Sequence, residues 1–572
     1  MIGGRPFKLG PLIRFCLVWM PWALLQAGAA NWYVAPQGTP GGPGTMAEPY
    51  DLRTALSGGV GQPGDTFWLR EGTYALGQVA TQVHGEAGKP ITFRQWPGEK
   101  ARVDGSVIFW GAAGHVVLRD FELYSSDTNR LSAIWGAGIN PPPSDINPRI
   151  GIECYAPNLS FINLVVRDQT RSGIYISEVA TNTLVYGCLL YNNGWASPDN
   201  AEGHNVYAQS YIGPVEIADN IAFNATGANF HLYEQRAGRQ LAGVTLEGNV
   251  AFHAGALQQV RRYWDWIIGV EPPSTGADRI VLKENMTYRP LVTTALDNVL
   301  IGWFGTNGSV VLQDNYFPLS LTLNNWTNAT VTGNLFAAQN TNPIVRLNQT
   351  FPMTGVWDDN RYWRAPTAGG FWSNSIVHTF PEWQAATSYD LNSSHTVGGL
   401  SGTQVFVRPN RFEPGRANII VYNWDGLSHV PVDVASLLPV GVGYDVINAQ
   451  DPSGPPVLSG VFDGAPLLLP MTGLTVAAPN GPLLTPPSTG PTFNVFVLLP
   501  RAARLQIATV APNVEVSWPT NVGNWTLQSR ASLAADGSWA NDTNTPVIRG
   551  EQYVVTKPAT GQAEFYRLRP QQ

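Results

Sequence analysis

Along the middle of this chain an Asn recurs at a tight polar corner between two short apolar strands. The clearest copies are IADNIAF (217–223), LEGNVAF (246–252), LKENMTY (282–288), LQDNYF (312–317) and VTGNLFA (331–337). Their corners are Asn220, Asn249, Asn285, Asn315 and Asn334, separated by 29, 36, 30 and 19 residues. A unit this short has too little apolar surface to bury a core alone, so successive copies must stack. Asn suits the corner because it tolerates left-handed backbone and bonds its own main chain. Stacked corners let each amide bond the next, forming an internal ladder. The pattern is that of a parallel β-helix.

The rest of the composition agrees with an exported all-β protein. Of 572 residues only 13% are charged, whereas Gly (59), Pro (45) and Trp (20) are abundant, a balance of turn formers and aromatics unlike that of helical or disordered chains. This length calls for two to four domains. A net charge of −7 argues against a nucleic-acid partner, which needs a basic stripe. Residues 1–30 read as a secretory signal: Arg5, Lys8 and Arg14 precede the apolar stretch Phe15–Leu25, and Ala27-Gly28-Ala29 offers small residues for cleavage near position 29 or 30. That stretch is too short to span a bilayer and no later one is long enough, so a secreted protein without a membrane span is expected. Cys16 leaves with the signal. Cys154 sits in a strand and Cys188 at a corner, different phases of the coil that predict two free thiols.

The segments WYVAPQGTPGGPGT (32–45), PYDLRTAL (49–56) and QPGDTFWLREGTY (62–74) resemble the opening coils of the pectate-lyase-like β-helix superfamily. The resemblance implies a right-handed parallel β-helix over about 31–400, with a short helix at Leu52–Leu56 covering its exposed first coil. Coils continue through PITFRQWP (90–97), HVVLRDFEL (115–123) and LSFINLVVRD (159–168), interrupted by the insertion AGINPPPSDINP (137–148), whose prolines cannot join a ladder. FPEWQAATSYDLNSS (380–394) resembles the segment that closes many bacterial β-helices with a Trp-bearing helix. Alternating strands with Pro and Gly turns then predict a small β-sandwich over 401–500. A C-terminal all-β module follows over 505–572, in which Trp518, Trp525 and Trp539 are better read as core than as a sugar platform. A monomer is expected.

Function on a β-helix lies on the outer face of a sheet, so strand phase selects the candidates. In SGIYISE, GHNVYAQ and GANFHLYE the apolar positions are taken inward. The outward strip is then Glu153, Tyr175, Ser177, Asn205, Tyr207, Asn229, His231 and Tyr233, flanked by Asp168, Arg171, Glu202, His204, Glu234, Arg236 and Arg239. Aromatic faces beside amide, hydroxyl and imidazole groups suit a polysaccharide; a solvated polar face is the plainer alternative. A lyase acting on uronic acids needs a group to neutralise the carboxylate, a base and an acid. The catalytic candidates are His231, Tyr207, Tyr233, His204 and Glu202; those for substrate binding are Asn205, Asn229, Tyr175, Arg171, Glu234 and Arg236. A hydrolase instead needs two carboxylates flanking the bond, and Glu153, Asp168, Glu202 and Glu234 are the ones available. GHN (203–205) resembles the Gly-His-Gly of polygalacturonases, but that family's paired Asp motifs are missing. No clustered acidic residues suggest a metal, and no cofactor is expected. A glycan-binding adhesive β-helix without catalysis stays open, and a phage-type tailspike fits less well with a signal peptide.

Overall fold

The computed structural model describes residues 29–570, apart from 137, 139, 262, 291–297, 339–342, 365–369, 502–504, 521–524, 532–538 and 560–563. Residues 1–28, which hold Cys16 and most of the expected signal, lie outside the described residues. Each coil of the solenoid has three sides. Val215–Ala218 runs to the Asn220 corner, Ile221–Phe223 leaves it, a second corner leads into Phe230–Glu234, and a loop returns to Leu241–Glu247. Strands of successive coils stack in parallel: Ile217 faces Leu246, Ile221 faces Val250 and Phe230 faces Trp266. Twelve strands form the first side, and the other two sides share a 22-stranded sheet. Their inward side chains form one continuous core running from Val34 to Trp383. Each large apolar residue buried there contributes roughly 1.5–3 kcal/mol, and most of that burial exists only between neighbouring coils.

The ladder expected at the corners is present. Asn220 donates from Nδ2 to Asn249 Oδ1 (2.9 Å), and the same bond links Asn249 to Asn285 (3.0 Å), Asn285 to Asn315 (3.1 Å), Asn315 to Asn334 (2.8 Å) and Asn334 to Asn360 (3.1 Å). Asn360 ends the series on Asp390 (3.1 Å). At the other end Asn220 Oδ1 accepts the main-chain N–H of Cys188 (2.9 Å), so Cys188 heads the ladder. Cys154 and Cys188 are both free and buried. One expectation is corrected. The left-handed residue is not the Asn but the one before it: Asp219, Glu284, Asp314 and Asp359 have φ of 53, 53, 54 and 57°, and Gly248 and Gly333 behave alike. The preceding residue takes the bend, and the Asn amide is thereby aimed inward from ordinary backbone.

Both ends are covered. Leu52 and Ala55 of the helix Leu52–Ala55 are buried over the first coil, and Asp51 caps its N-terminus by accepting from Thr54 N (2.8 Å). At the far end the helix Phe380–Thr387 buries Trp383 completely. The Trp383 ring lies 5.5 Å from that of Phe371, and its Nε1 donates to Asp390 Oδ2 (2.8 Å). Without such a plug the terminal coil would present apolar surface to water.

A five-stranded antiparallel sheet built from Thr403–Pro409, Ala417–Asn423, Phe493–Pro500, Gly443–Asn448 and Leu458–Val461 follows, with the pair His429–Val432 and Leu467–Pro470 beside it. One set of its side chains makes a core with that pair. The other set packs on the outside of the solenoid row Leu189–Tyr191, Ile221–Phe223 and Val250–Phe252. There Tyr191, Phe223 and Phe252 stack at 5.0 and 4.9 Å, Phe493 lies 5.3 Å from Phe252, and Tyr422 Oη donates to Thr287 O (2.7 Å). This docking closes one side of the solenoid and leaves the adjoining side, with Tyr175, Tyr207 and His231, uncovered. The C-terminal strands form a four-stranded and a three-stranded sheet. Trp518 is buried in their core with Trp525 packed against it, and Trp539 lies between the guanidinium groups of Arg530 and Arg567, at 4.7 and 4.5 Å. Among the described residues no helix is long and apolar enough to cross a membrane.

Candidate functional site

Glu153, Tyr175, Tyr207, His231 and Ile267 occupy one register position on five successive coils. Their strand neighbours Ile174, Ile176, Val206, Ala208, Phe230 and Leu232 are fully buried, so the alternation read from the sequence holds within the strands. The rings touch in series: Tyr155 and Tyr175 (5.5 Å), Tyr175 and Tyr207 (5.5 Å), Tyr207 and His231 (5.2 Å), His231 and Tyr233 (5.0 Å), Tyr233 and Trp303 (6.3 Å). They floor a cavity of about 650 Å³ whose walls carry Arg171, Arg236, Arg261, Glu153, Glu202 and Glu271, with Asn140 reaching in from the proline-rich insertion.

The outward strip is corrected at three positions. Asn205 and Asn229 are fully buried and belong to a second ladder, in which Asn193 donates to Asn205 (2.8 Å), Asn205 to Asn229 (2.7 Å) and Asn229 to Asp265 (2.7 Å). Each also donates to a main-chain carbonyl, Asn205 to Phe223 O and Asn229 to Phe252 O. Both precede the first strand residue, Val206 and Phe230, so they stand at the corner, where strand alternation does not apply. Ser177, one residue past its strand, is buried too. Neither asparagine is therefore available to a ligand in the cavity. Glu234 is buried as well: its carboxylate accepts from the main chain of Gln235 and Arg236 and from the Arg236 guanidinium (2.6 Å). It serves to hold Arg236, which also meets Glu178 (2.9 Å). Asp168 is buried on Arg130 and Arg167 (2.9 and 2.6 Å), away from the cavity.

The remaining candidates converge. Tyr175 donates to Gln209 Oε1 (2.6 Å). Arg171 is only loosely engaged, with Glu202 3.8 Å away. Glu202 ends the short strand Ala201–Glu202 and stands 3.9 Å from His204 Nε2. His204 Nδ1 accepts the main-chain N–H of Ala228 (3.0 Å), and its Nε2 lies 3.0 Å from His231 Nδ1. His231 thus directs its Nδ1 at His204, and its buried Nε2 has no hydrogen-bond partner among the described residues. Burial holds both imidazoles below their ordinary pKa, for His231 reinforced by the neighbouring His204.

Sequence reasoning missed Glu271, which accepts the hydroxyl proton of Tyr233. It directly follows Trp266–Val270, a strand buried throughout, so no alternation betrayed it. Tyr263, Trp264 and Trp303 also line the cavity, and all three lie outside strands. Burial, then the bond to Glu271, raises the Tyr233 phenol above the ordinary range; burial, then the nearby Glu202, raises Tyr207. Burial raises the Glu153 carboxyl against the opposing hydrogen bond from Tyr155 (3.0 Å). Among the described residues no group of three or more His, Cys, Asp or Glu is placed to hold a metal ion.

A capped solenoid of three-sided parallel coils, with a ring-floored groove on its open side, defines a parallel β-helix protein. Residues 32–264 match the family model described as a Pel9A-like, right handed beta helix region; this chain carries a right-handed β-helix of the pectate-lyase-like kind, as its first coils imply. No curated protein matches it. Among solved structures, pectate lyase Pel9A is similar at 14% identity over 58% of this chain and 80% of that one, with a TM-score of 0.35. A mannuronic acid specific polysaccharide family 6 lyase from human gut microbiota is similar at 14% identity over 64% and 91%, with a TM-score of 0.35. The GH136 lacto-N-biosidase from Eubacterium ramulus is similar at 11% identity over 65% and 67%, with a TM-score of 0.34.

Proposed function

We propose that this is a secreted carbohydrate-active protein whose groove binds and cleaves a uronic-acid-containing polysaccharide by β-elimination. The observation that carries the reading is the pair of phenols either side of the His231 ring, one of them, Tyr233, bonded to Glu271. Elimination removes the proton α to the carboxylate and breaks the bond to the glycosidic oxygen. In this reading Arg171, the least engaged guanidinium of the cavity, meets the uronate carboxylate. The Tyr233 oxygen takes the α-proton as its own proton passes to Glu271. The carbon–carbon double bond forms, the carbon–oxygen bond breaks, and Tyr207 protonates the departing oxygen. Aromatic rings along the floor suit the apolar faces of successive sugars.

Hydrolysis is the second reading, favoured by the raised Glu153 carboxyl, which suits a general acid. Against it, the cavity carboxylates have separate partners: Glu153 has Tyr155, Glu202 has Arg171, and Glu271 has Tyr233. Incubation with a panel of acidic and neutral polysaccharides separates the readings. An unsaturated, ultraviolet-absorbing product supports elimination. New reducing ends without that absorbance mean hydrolysis, and retention on the glycan without either means binding alone.

A further inference from the structure

We infer that His204 is a positioning residue that locks the proton of His231 on Nε2, making His231 a neutral hydrogen-bond donor to the ligand and not a base. The inference rests on the reading of this groove as a glycan site, and it follows from counting protons along one chain of atoms. The main-chain N–H of Ala228 always carries its hydrogen, and it is directed at His204 Nδ1 across 3.0 Å. That nitrogen must therefore offer a lone pair. An imidazole bearing no proton on either nitrogen is an anion with no place at ordinary pH, so the single proton of His204 sits on Nε2. Nε2 lies 3.0 Å from His231 Nδ1, closer than its other acceptor, Glu202 Oε2 at 3.9 Å. His231 Nδ1 accepts, which leaves the proton of the neutral His231 ring on Nε2.

His231 Nε2 is a buried donor with no hydrogen-bond partner among the described residues, between the rings of Tyr207 and Tyr233. A buried N–H left unpaired costs about 1–3 kcal/mol, and an acceptor oxygen of a bound sugar, from a hydroxyl or a carboxylate, would satisfy it. A neutral donor held this way stabilises charge that develops on such an oxygen. It cannot remove the α-proton, because its one basic nitrogen is occupied by His204. The proton-transfer work thus falls to the tyrosines.

The test is nuclear magnetic resonance of the full chain labelled with nitrogen-15 at histidine. There are eight histidines, and His231→Gln identifies the signals of interest. At neutral pH both His204 and His231 should appear as pure Nε2–H tautomers. His204→Gln, whose side-chain amide donates to His231 Nδ1, should keep the His231 tautomer and most of kcat. His204→Phe should convert it to a tautomer mixture and lower kcat about 10-fold or more with little change in KM. Finding His231 with its proton on Nδ1, as a mixture or as a cation in the wild type would overturn the inference, as would an unchanged kcat and tautomer in folded His204→Phe. If His204→Phe does not fold, the wild-type and His204→Gln spectra decide. A locked tautomer in a protein that cleaves no glycan removes the elimination reading and leaves the lock standing.

Discussion

Asn205 donates from Nδ2 to Asn229 Oδ1 across 2.7 Å inside the solenoid, at the corners that lead into the two paired strands carrying the groove-lining Tyr207 and His231. The two asparagines order the corners from which those rings project. Asn229→Ala should therefore act on stability: it strips partners from Asn205, Asp265 and the Phe252 carbonyl. The expected loss is about 1–3 kcal/mol for each buried group left unpaired, read as a lower melting temperature. A variant that melts like the wild type but no longer binds glycan would return Asn229 to the ligand.

Tyr233→Phe and Glu271→Gln test the proton relay. Each should lower kcat on the order of 10²-fold or more, with melting temperatures close to wild type because both groups line the groove and not the core. The double variant should fall little further than either single one, since residues of one relay are not additive. Independent, multiplicative losses would dissolve the pairing.

Buried neutral histidines make stability depend on pH. Burial lowers His253 to about 4 against about 6.5 for the unfolded chain. A base depressed in the folded state contributes stability that is present above the unfolded pKa and lost as pH falls toward the folded one. For His253 the window runs from about 6.5 down to about 4, and the full loss is up to roughly 3 kcal/mol; His204 and His231 act in the same direction. Denaturation midpoints should fall through this range, less steeply in His253→Leu than in the wild type. Parallel slopes for the two proteins would contradict this.

The thiols should be silent in the folded protein. Burial raises Cys188 to about 12 and holds Cys154 well above the ordinary thiol value, and both are free. A chain beginning at Asn31 should give no reaction with a thiol reagent at neutral pH and two equivalents once denatured without reductant. Zero equivalents on denaturation would mean a disulfide.

Trp383→Ala removes the plug over the last coil. Truncating a fully buried Trp costs about 3–5 kcal/mol, and here it also frees Asp390 of a donor. The variant should melt earlier and associate end to end, seen as larger species by light scattering. A stable monomer would show that the remaining cap suffices.

The β-helix, its ladder and both caps were legible because they are written in local pattern. An apolar–polar alternation, an Asn every coil, and a Trp-bearing segment where the repeat fades report interactions repeated by each neighbouring coil. Free cysteines were legible for the same reason, from their phase. Strand phase also correctly sent Tyr175, Tyr207, His231 and Tyr233 outward. It failed at Asn205, Asn229 and Ser177, which stand beyond strand ends where the chain turns and alternation lapses. What only the tertiary structure decided was which side of the solenoid stays open, because the sheet of residues 403–500 docks on the row of Tyr191, Phe223 and Phe252. It also decided the partners of the chemistry: Glu271 for Tyr233, 38 residues apart, and His204 for His231, 27 apart. Such pairs are set by the rise of one coil on the next and by the loops between strands, and neither distance is encoded in the local pattern of either residue.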